Sequence, residues 1–294
     1  MTVLDTMSSI IRRAEEEKKA FWEIVLEDDM EKKEYSREDS FEKMLTVWQA
    51  MENASDSYTG ERRSVSGLVG GDGLKMRQYN RRGESMSGDY VSQVIAEALS
   101  MAESNACMRR IVAAPTAGSC GVLPAVLLPL WHDGKITQKK VLEALYTASG
   151  IGAVIAHKAS ISGAAGGCQA EVGTAAAMAA GALVQLHGGS PKQIGNAVAM
   201  ALKNLMGLVC DPVAGLVEVP CVKRNVIGAV NAVSAADMAL AGIESRVPVD
   251  EVILAMGDVG RRMPHEFRET ALGGLAATPF GQKVKEEMLA DARQ

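Results

Sequence analysis

Three cysteines lie where the chain has signals to bend. Cys168 follows Gly166-Gly167, Cys210 precedes Asp211-Pro212, and Cys221 follows Pro220. Backbone bent in this way can aim sulfurs at one point and leave amide N–H groups free to bond them. Thiolate is the soft ligand that zinc and iron–sulfur clusters select. A structural zinc usually takes four ligands, often in closely spaced cysteine pairs, and no such pair occurs here. Three cysteines on a [4Fe–4S] cluster would leave one iron open to act as a Lewis acid on substrate. Spacing alone leaves a second reading open, since ordinary cysteines are common in apolar cores.

Other chemistry-bearing residues cluster around these three. Lys223, Arg224 and Asn225 follow Cys221 directly, and an Arg fork matches the carboxylate of an amino acid. Thr116 and Ser119 lie in a Pro-Gly block that precedes a helix candidate opening near Gly121, a setting suited to a carboxylate. A GGDG turn with Lys75 and Arg77 close by offers backbone N–H groups to an anion, but the phosphate-loop register is absent. None of the four histidines pairs with a second ligand at a metal-site spacing. His132, His187 and His265 read as surface or structural residues, and His157 is kept as a weak candidate base. Cys120 is placed in the pocket wall, and Cys107 reads as a small apolar residue on a helix.

The segments SISGAAGGCQAEVG and LVCDPVAGLVEVPCVKRN, with the spacing Cys168-x41-Cys210-x10-Cys221, resemble the catalytic part of the iron–sulfur-dependent L-serine dehydratases. APTAGSCGVLPAVL (114–127), SGLVGGDGLKM (66–76) and FRETALGGLA (267–276) are similar to further blocks of that family. The resemblance covers most of the chain, and the length matches the separate α subunit of the two-subunit type. It implies deamination of L-serine to pyruvate and ammonia. It also implies a [4Fe–4S] cluster on Cys168, Cys210 and Cys221, and no pyridoxal phosphate. Ser66, Gly71, Asp72, Thr116, Ser119, Arg224 and Asn225 become candidate substrate contacts. Some single-chain members carry a further domain and a C-terminal cysteine, whereas no cysteine follows Cys221 here. Both differences lead us to expect a β subunit, docked on charged N-terminal helices and completing a pocket that lacks a convincing base. The alternatives are a related cluster-dependent lyase acting on another small amino or hydroxy acid, and a non-catalytic subunit that holds a metal.

The elements that must position these residues are helical. Apolar residues make up 47% of the chain but aromatics only 4%, so the core must be built from small and aliphatic side chains. That composition favours closely packed helices over an aromatic-rich β-sandwich, and the expected class is all-α. A charged opening over 1–60 reads as a pair of solvated amphipathic helices, with Ser36 and Asp39 capping the second. The remainder, 61–294, reads as a helical catalytic domain with Gly-rich loops. Helices are expected over 89–106, from Thr137 to about Ile155, over 169–186, from Ser190-Pro191 to about Met206, over 222–243 and over 249–262. A net charge of −5 argues against nucleic-acid binding. The opening residues lack the apolar core of a signal peptide, and an odd cysteine count suits a reducing cytoplasm. The apolar stretches 111–131 and 170–186 are broken by Pro and Gly or carry Glu171, so neither reads as a membrane span.

Overall fold

The computed structural model describes residues 5–291. Those residues form 13 α-helices and no strand, an all-α architecture. In chain order the helices are α1 (Met7–Glu17), α2 (Phe21–Lys33), α3 (Arg37–Asp56), α4 (Asp72–Arg81), α5 (Gly88–Ala106), α6 (Val122–His132) and α7 (Gln138–Lys158). There follow α8 (Gly163–Gly166), α9 (Thr174–Leu186), α10 (Pro191–Leu205), α11 (Cys221–Leu240), α12 (Val249–Arg262) and α13 (Pro279–Asp291). No helix among the described residues is long and apolar enough to cross a membrane.

Helix α9 is the axis of the fold. Its sequence TAAAMAAGALVQL is apolar on all sides, and every residue from Thr174 to Gln185 is buried. A helix without a polar face must be surrounded, and α6, α7, α10 and α11 pack around it. The small side chains let those neighbours approach closely. At Gly181 an added Cβ would collide with Ile151 of α7 and would sit 3.4 Å from Ile194 of α10.

The amino-terminal helices differ from the expected solvated pair. There are three of them, because Lys18 and Glu34 adopt left-handed backbone at φ 52° and 56° and end α1 and α2 without glycine. Helix α2 is a core element: Phe21, Trp22, Ile24, Val25 and Leu26 are buried, and residues of all three helices join the main hydrophobic core. Phe41 of α3 packs on Tyr146 of α7 with ring centroids 5.5 Å apart, and Trp48 meets Trp131 edge-on at 5.9 Å. Positions 1 to 4 of the charged opening, and the last three residues of the chain, lie outside the described residues.

Where capping chemistry was explicit, the helices begin as expected. The Ser36 and Ser190 side chains accept from Asp39 and Gln193 N–H groups, and Thr137 caps α7. Three helices were not foreseen. The GGDG stretch, read as a turn within a loop, opens α4 after Gly71 at φ 80°, the single turn of α8 precedes Cys168, and α13 is the last described helix. The helix expected from Gln169 instead begins with a π turn over Gln169–Gly173 before α9. Phe21 is fully buried, so Phe21→Ala should cost about 3–5 kcal/mol. Urea unfolding followed by circular dichroism checks this, and an unchanged midpoint would exclude α2 from the cooperative core.

Candidate functional site

The three cysteines come from three separate elements. Cys168 stands between α8 and the π turn, preceded by Gly167 at φ +74°, where an added Cβ would lie 2.9 Å from Leu208 O. Gln169 fixes that turn: its N–H donates to Leu208 O (2.9 Å), its Oε1 accepts from Gly207 N–H (2.8 Å), and its Nε2 donates to Met256 O (3.1 Å). Cys210 lies on an extended segment paired with the 267–269 strip. Its N–H donates to Phe267 O (2.8 Å), and its carbonyl accepts from Glu269 N–H (3.0 Å). Cys221 is the first residue of α11.

Arg224, one turn into α11, ties these elements together. Its Nη1 donates to Val209 O at 2.7 Å and its Nη2 to Asp211 at 2.8 Å, and the guanidinium charge favours the Cys168 thiolate. Asp211 is buried, and its second oxygen accepts from Leu275 N–H at 2.9 Å. Asn225 is likewise committed to the chain. Its Oδ1 accepts from Gly121 N–H (2.8 Å), and its Nδ2 donates to Gly118 O (2.8 Å) and Cys221 O (3.0 Å). The structure therefore places both residues as struts, with their polar atoms on protein partners.

The other candidates divide in the same way. Ser66 donates its hydroxyl to buried Glu218, which also accepts from Ser64 Oγ at 2.5 Å, so the 64–66 loop is held beside Cys221. Asp72 pairs with Lys75 (2.9 Å) and Lys223 (3.2 Å). Its N–H and that of Gly73 donate to buried Glu103, which anchors the start of α4 next to Gly71. Ser119 is fully buried with its Oγ 3.1 Å from Thr116 Oγ1, and Thr116 reaches Glu171. His157 is exposed in the last turn of α7. Cys120 is fully buried against Met101 O of α5 at 3.7 Å, and Cys107 closes the end of α5.

Electrostatics separate the three cysteines from the other two. Burial pushes the Cys168 thiol up to about 11 and Cys221 to about 12, and it raises Cys210 as well. Cys168 and Cys221 oppose the ionisation of Cys210, and Cys168 that of Cys221. Arg224 is the cation that favours the thiolates of Cys168 and Cys221. Cys120 is also raised to about 12, but by burial, with no other thiol acting on it. Among the described residues no three His, Cys, Asp or Glu side chains could share one metal ion. A cubane cluster makes a different demand, because each thiolate bonds its own iron. Three converging thiols that one arginine cannot keep ionised suit a cationic group of that size.

Sequence reasoning passed over Glu171 and Glu269. Glu171 sits on the π turn, and its charge acts on all three thiols. Burial, more than the nearby Glu269, holds its carboxyl above the usual range, against a hydrogen bond from Thr116. Glu269 reaches the same place on left-handed backbone at φ 60°. The available signal was a lone carboxylate three positions after a cysteine, within a stretch otherwise made of Ala, Gly and Val.

An all-helical chain carries here two buried thiols, the half-buried Cys221 and two carboxyl groups whose charges act on the thiols. The chain belongs to the serine dehydratase alpha-chain family, whose model matches residues 16–276. It is 49% identical over 270 residues to a probable L-serine dehydratase alpha chain of Bacillus subtilis, covering 92% of this chain and 90% of that one. The L-serine dehydratase alpha chain of Peptoniphilus asaccharolyticus is 41% identical over 98% of this chain and 99% of its own. An L-serine dehydratase of Escherichia coli is 39% identical over 78% of this chain, a match that spans 52% of that longer protein.

Removing the Asp211 carboxylate frees Arg224 and the Leu275 N–H together. Hydrogen bonds to charged groups are worth about 1.5–3 kcal/mol, so Asp211→Ala should lower the melting temperature and speed reaction of Cys210 with a thiol reagent in the metal-free chain. Unchanged thiol kinetics would mean that the pair does not hold the Cys210 segment.

Proposed function

We propose that this chain is the cluster-binding subunit of an iron–sulfur-dependent L-serine dehydratase, with Cys168, Cys210 and Cys221 holding one [4Fe–4S] cluster. The observation that supports the reading is that these three thiols, from three elements, act on one another's ionisation, whereas no other thiol acts on Cys107 or Cys120. Family membership adds the reaction class, since the named relatives are L-serine dehydratases. When bound, a cluster with one iron lacking a protein thiolate supplies a Lewis acid for the departing hydroxyl.

The chain's own residues do the remaining work. Arg224 keeps Cys168 and the Cys210 segment in register and lowers the cost of the thiolate charge. Asn225 locks the 118–121 block to the start of α11. Glu218 and Glu103 hold the 64–73 loop against the same helix end, which supplies one wall of the pocket. Loss of the α-proton and hydroxide from serine leaves aminoacrylate. That enamine tautomerises to an imine, and water then releases ammonia and pyruvate, regaining the water lost in the first step.

A second polypeptide belongs to this reading. The relatives matched over nearly their whole length are named alpha chains, which implies a β chain. We infer that it closes over the thiol pocket.

Anaerobic reconstitution should give about four irons and four sulfides per chain, the stoichiometry of a [4Fe–4S] cluster. Replacing Cys168, Cys210 or Cys221 with Ser should remove the visible absorbance and pyruvate formation together, whereas Cys120→Ala should retain the iron. Full iron content in all three Ser variants would refute the ligand set.

A further inference from the structure

Glu171 is held in a slot that the chain keeps clear for it. The π turn carries the residue to the seam between the 114–121 block and the loop that ends at Cys168. Its Oε1 lies 3.3 Å from the point where a Cβ on Gly118 would stand, and its Oε2 lies 2.6 Å from the corresponding point on Gly163. Oε2 of Glu269 is 3.1 Å from that same Gly163 position, so the two carboxyl groups meet over one glycine. A side chain at Gly163 would displace both.

The surroundings of Glu171 are unusual for a structural carboxylate. The carboxyl group of Glu269 meets it over Gly163, and its Oε1 lies against the 116–119 turn at Gly118. A half-buried carboxylate with a like-charged neighbour and no cation costs stability, and such arrangements concentrate at functional sites. The π-helical insertion that presents it is also a device frequent at functional sites. Glu171 lies close enough to Cys168, Cys210 and Cys221 for its charge to act on all three thiols.

We propose that the Glu171 carboxylate is the base that takes the α-proton of the substrate, with Thr116 and Glu269 positioning it. This inference rests on the serine dehydratase reading above. In the step, a Glu171 oxygen bonds the proton on Cα, and the Cα–H electron pair becomes the Cα–Cβ double bond. The Cβ–O bond breaks, and its pair departs with the hydroxyl oxygen. The proton then leaves Glu171 for that oxygen or for solvent, completing one water. The base expected from a partner is thereby placed on this chain, and the partner's task becomes closure of the pocket.

The test uses the anaerobically reconstituted chain together with its β subunit. Glu171→Gln should retain the iron, the cluster absorbance and the spectral change on adding L-serine, while kcat falls by about 10²–10⁴, the usual worth of a general base. Glu171→Ala opens a void beside Gly118 and Gly163, and added formate should raise its turnover at least about tenfold, as an exogenous base does when the missing group is a proton acceptor. Loss of iron from both variants would overturn the proposal, because the carboxylate would then be holding the site together. Turnover of Glu171→Gln within about threefold of the parent would overturn it too, since a base contributes far more. A parent complex that binds the cluster but makes no pyruvate from serine would sink the serine reading itself, and the role of Glu171 with it.

Discussion

The ion pair between Arg224 and Asp211 joins more of the site than any single helix contact. Asp211 is buried and the Arg224 side chain is only 16% exposed. Through Val209 O and the Leu275 N–H the pair connects α11, the Cys210 segment and the carboxy-terminal strip, and the guanidinium charge acts on the Cys168 thiol. A buried pair of this kind adds little net stability compared with apolar packing of the same volume. Its use here is registry: the guanidinium fork accepts one arrangement of its partners, and that arrangement is the one that brings three thiols together.

This registry depends on a core rigid enough to present it. Helix α9 is enclosed by four others, and its Ala and Gly side chains leave little room for sliding, because close-packed backbones resist small displacements. The π turn at its amino end converts that rigid axis into a site. The last helical turns before the thiols are therefore fixed by the core, while the loops carrying Cys210 and the 64–73 segment are fixed by hydrogen bonds. Buried Glu218 accepts from the Ser64 and Ser66 hydroxyls and Glu103 from the Asp72 and Gly73 N–H groups and the Tyr58 hydroxyl, while the Cys210 segment is held by Phe267 and Glu269.

The site also concentrates negative charge. The charges of Glu171 and Glu269 act on the thiols, with Arg224 as the cation that acts on Cys168 and Cys221. Without a further positive group the thiols stay protonated, as their raised values indicate. Metal binding and site formation are then linked, since ligands must lose their protons as the metal charge arrives.

By itself the sequence determined the helical class, the helix starts marked by Ser36, Thr137 and Ser190-Pro191, and the three cysteines at structure breaks. Each of these is local chemistry: a side chain satisfying N–H groups a turn away, a proline unable to donate, or a core with too few rings for a sandwich. Helix α4 escaped notice because its glycine-rich start and polar face look like a loop, and it is stabilised by packing on α5 and by Glu103 from that helix. Helix α2 looked solvated because its charged residues obscure the buried run from Phe21 to Leu26. Only the tertiary structure decided what the polar residues near the cysteines do. Arg224 and Asn225 read as substrate contacts from their position after Cys221, yet apart from Cys221 O their hydrogen-bond partners lie 13 to 107 residues away in the chain. Glu171 read as a stray charge in an alanine-rich helix until a π turn and two distant glycines gave its carboxyl a place. Burial and long-range hydrogen bonds are properties of the folded arrangement, so a linear pattern could name the thiols but not the side chains that orient them.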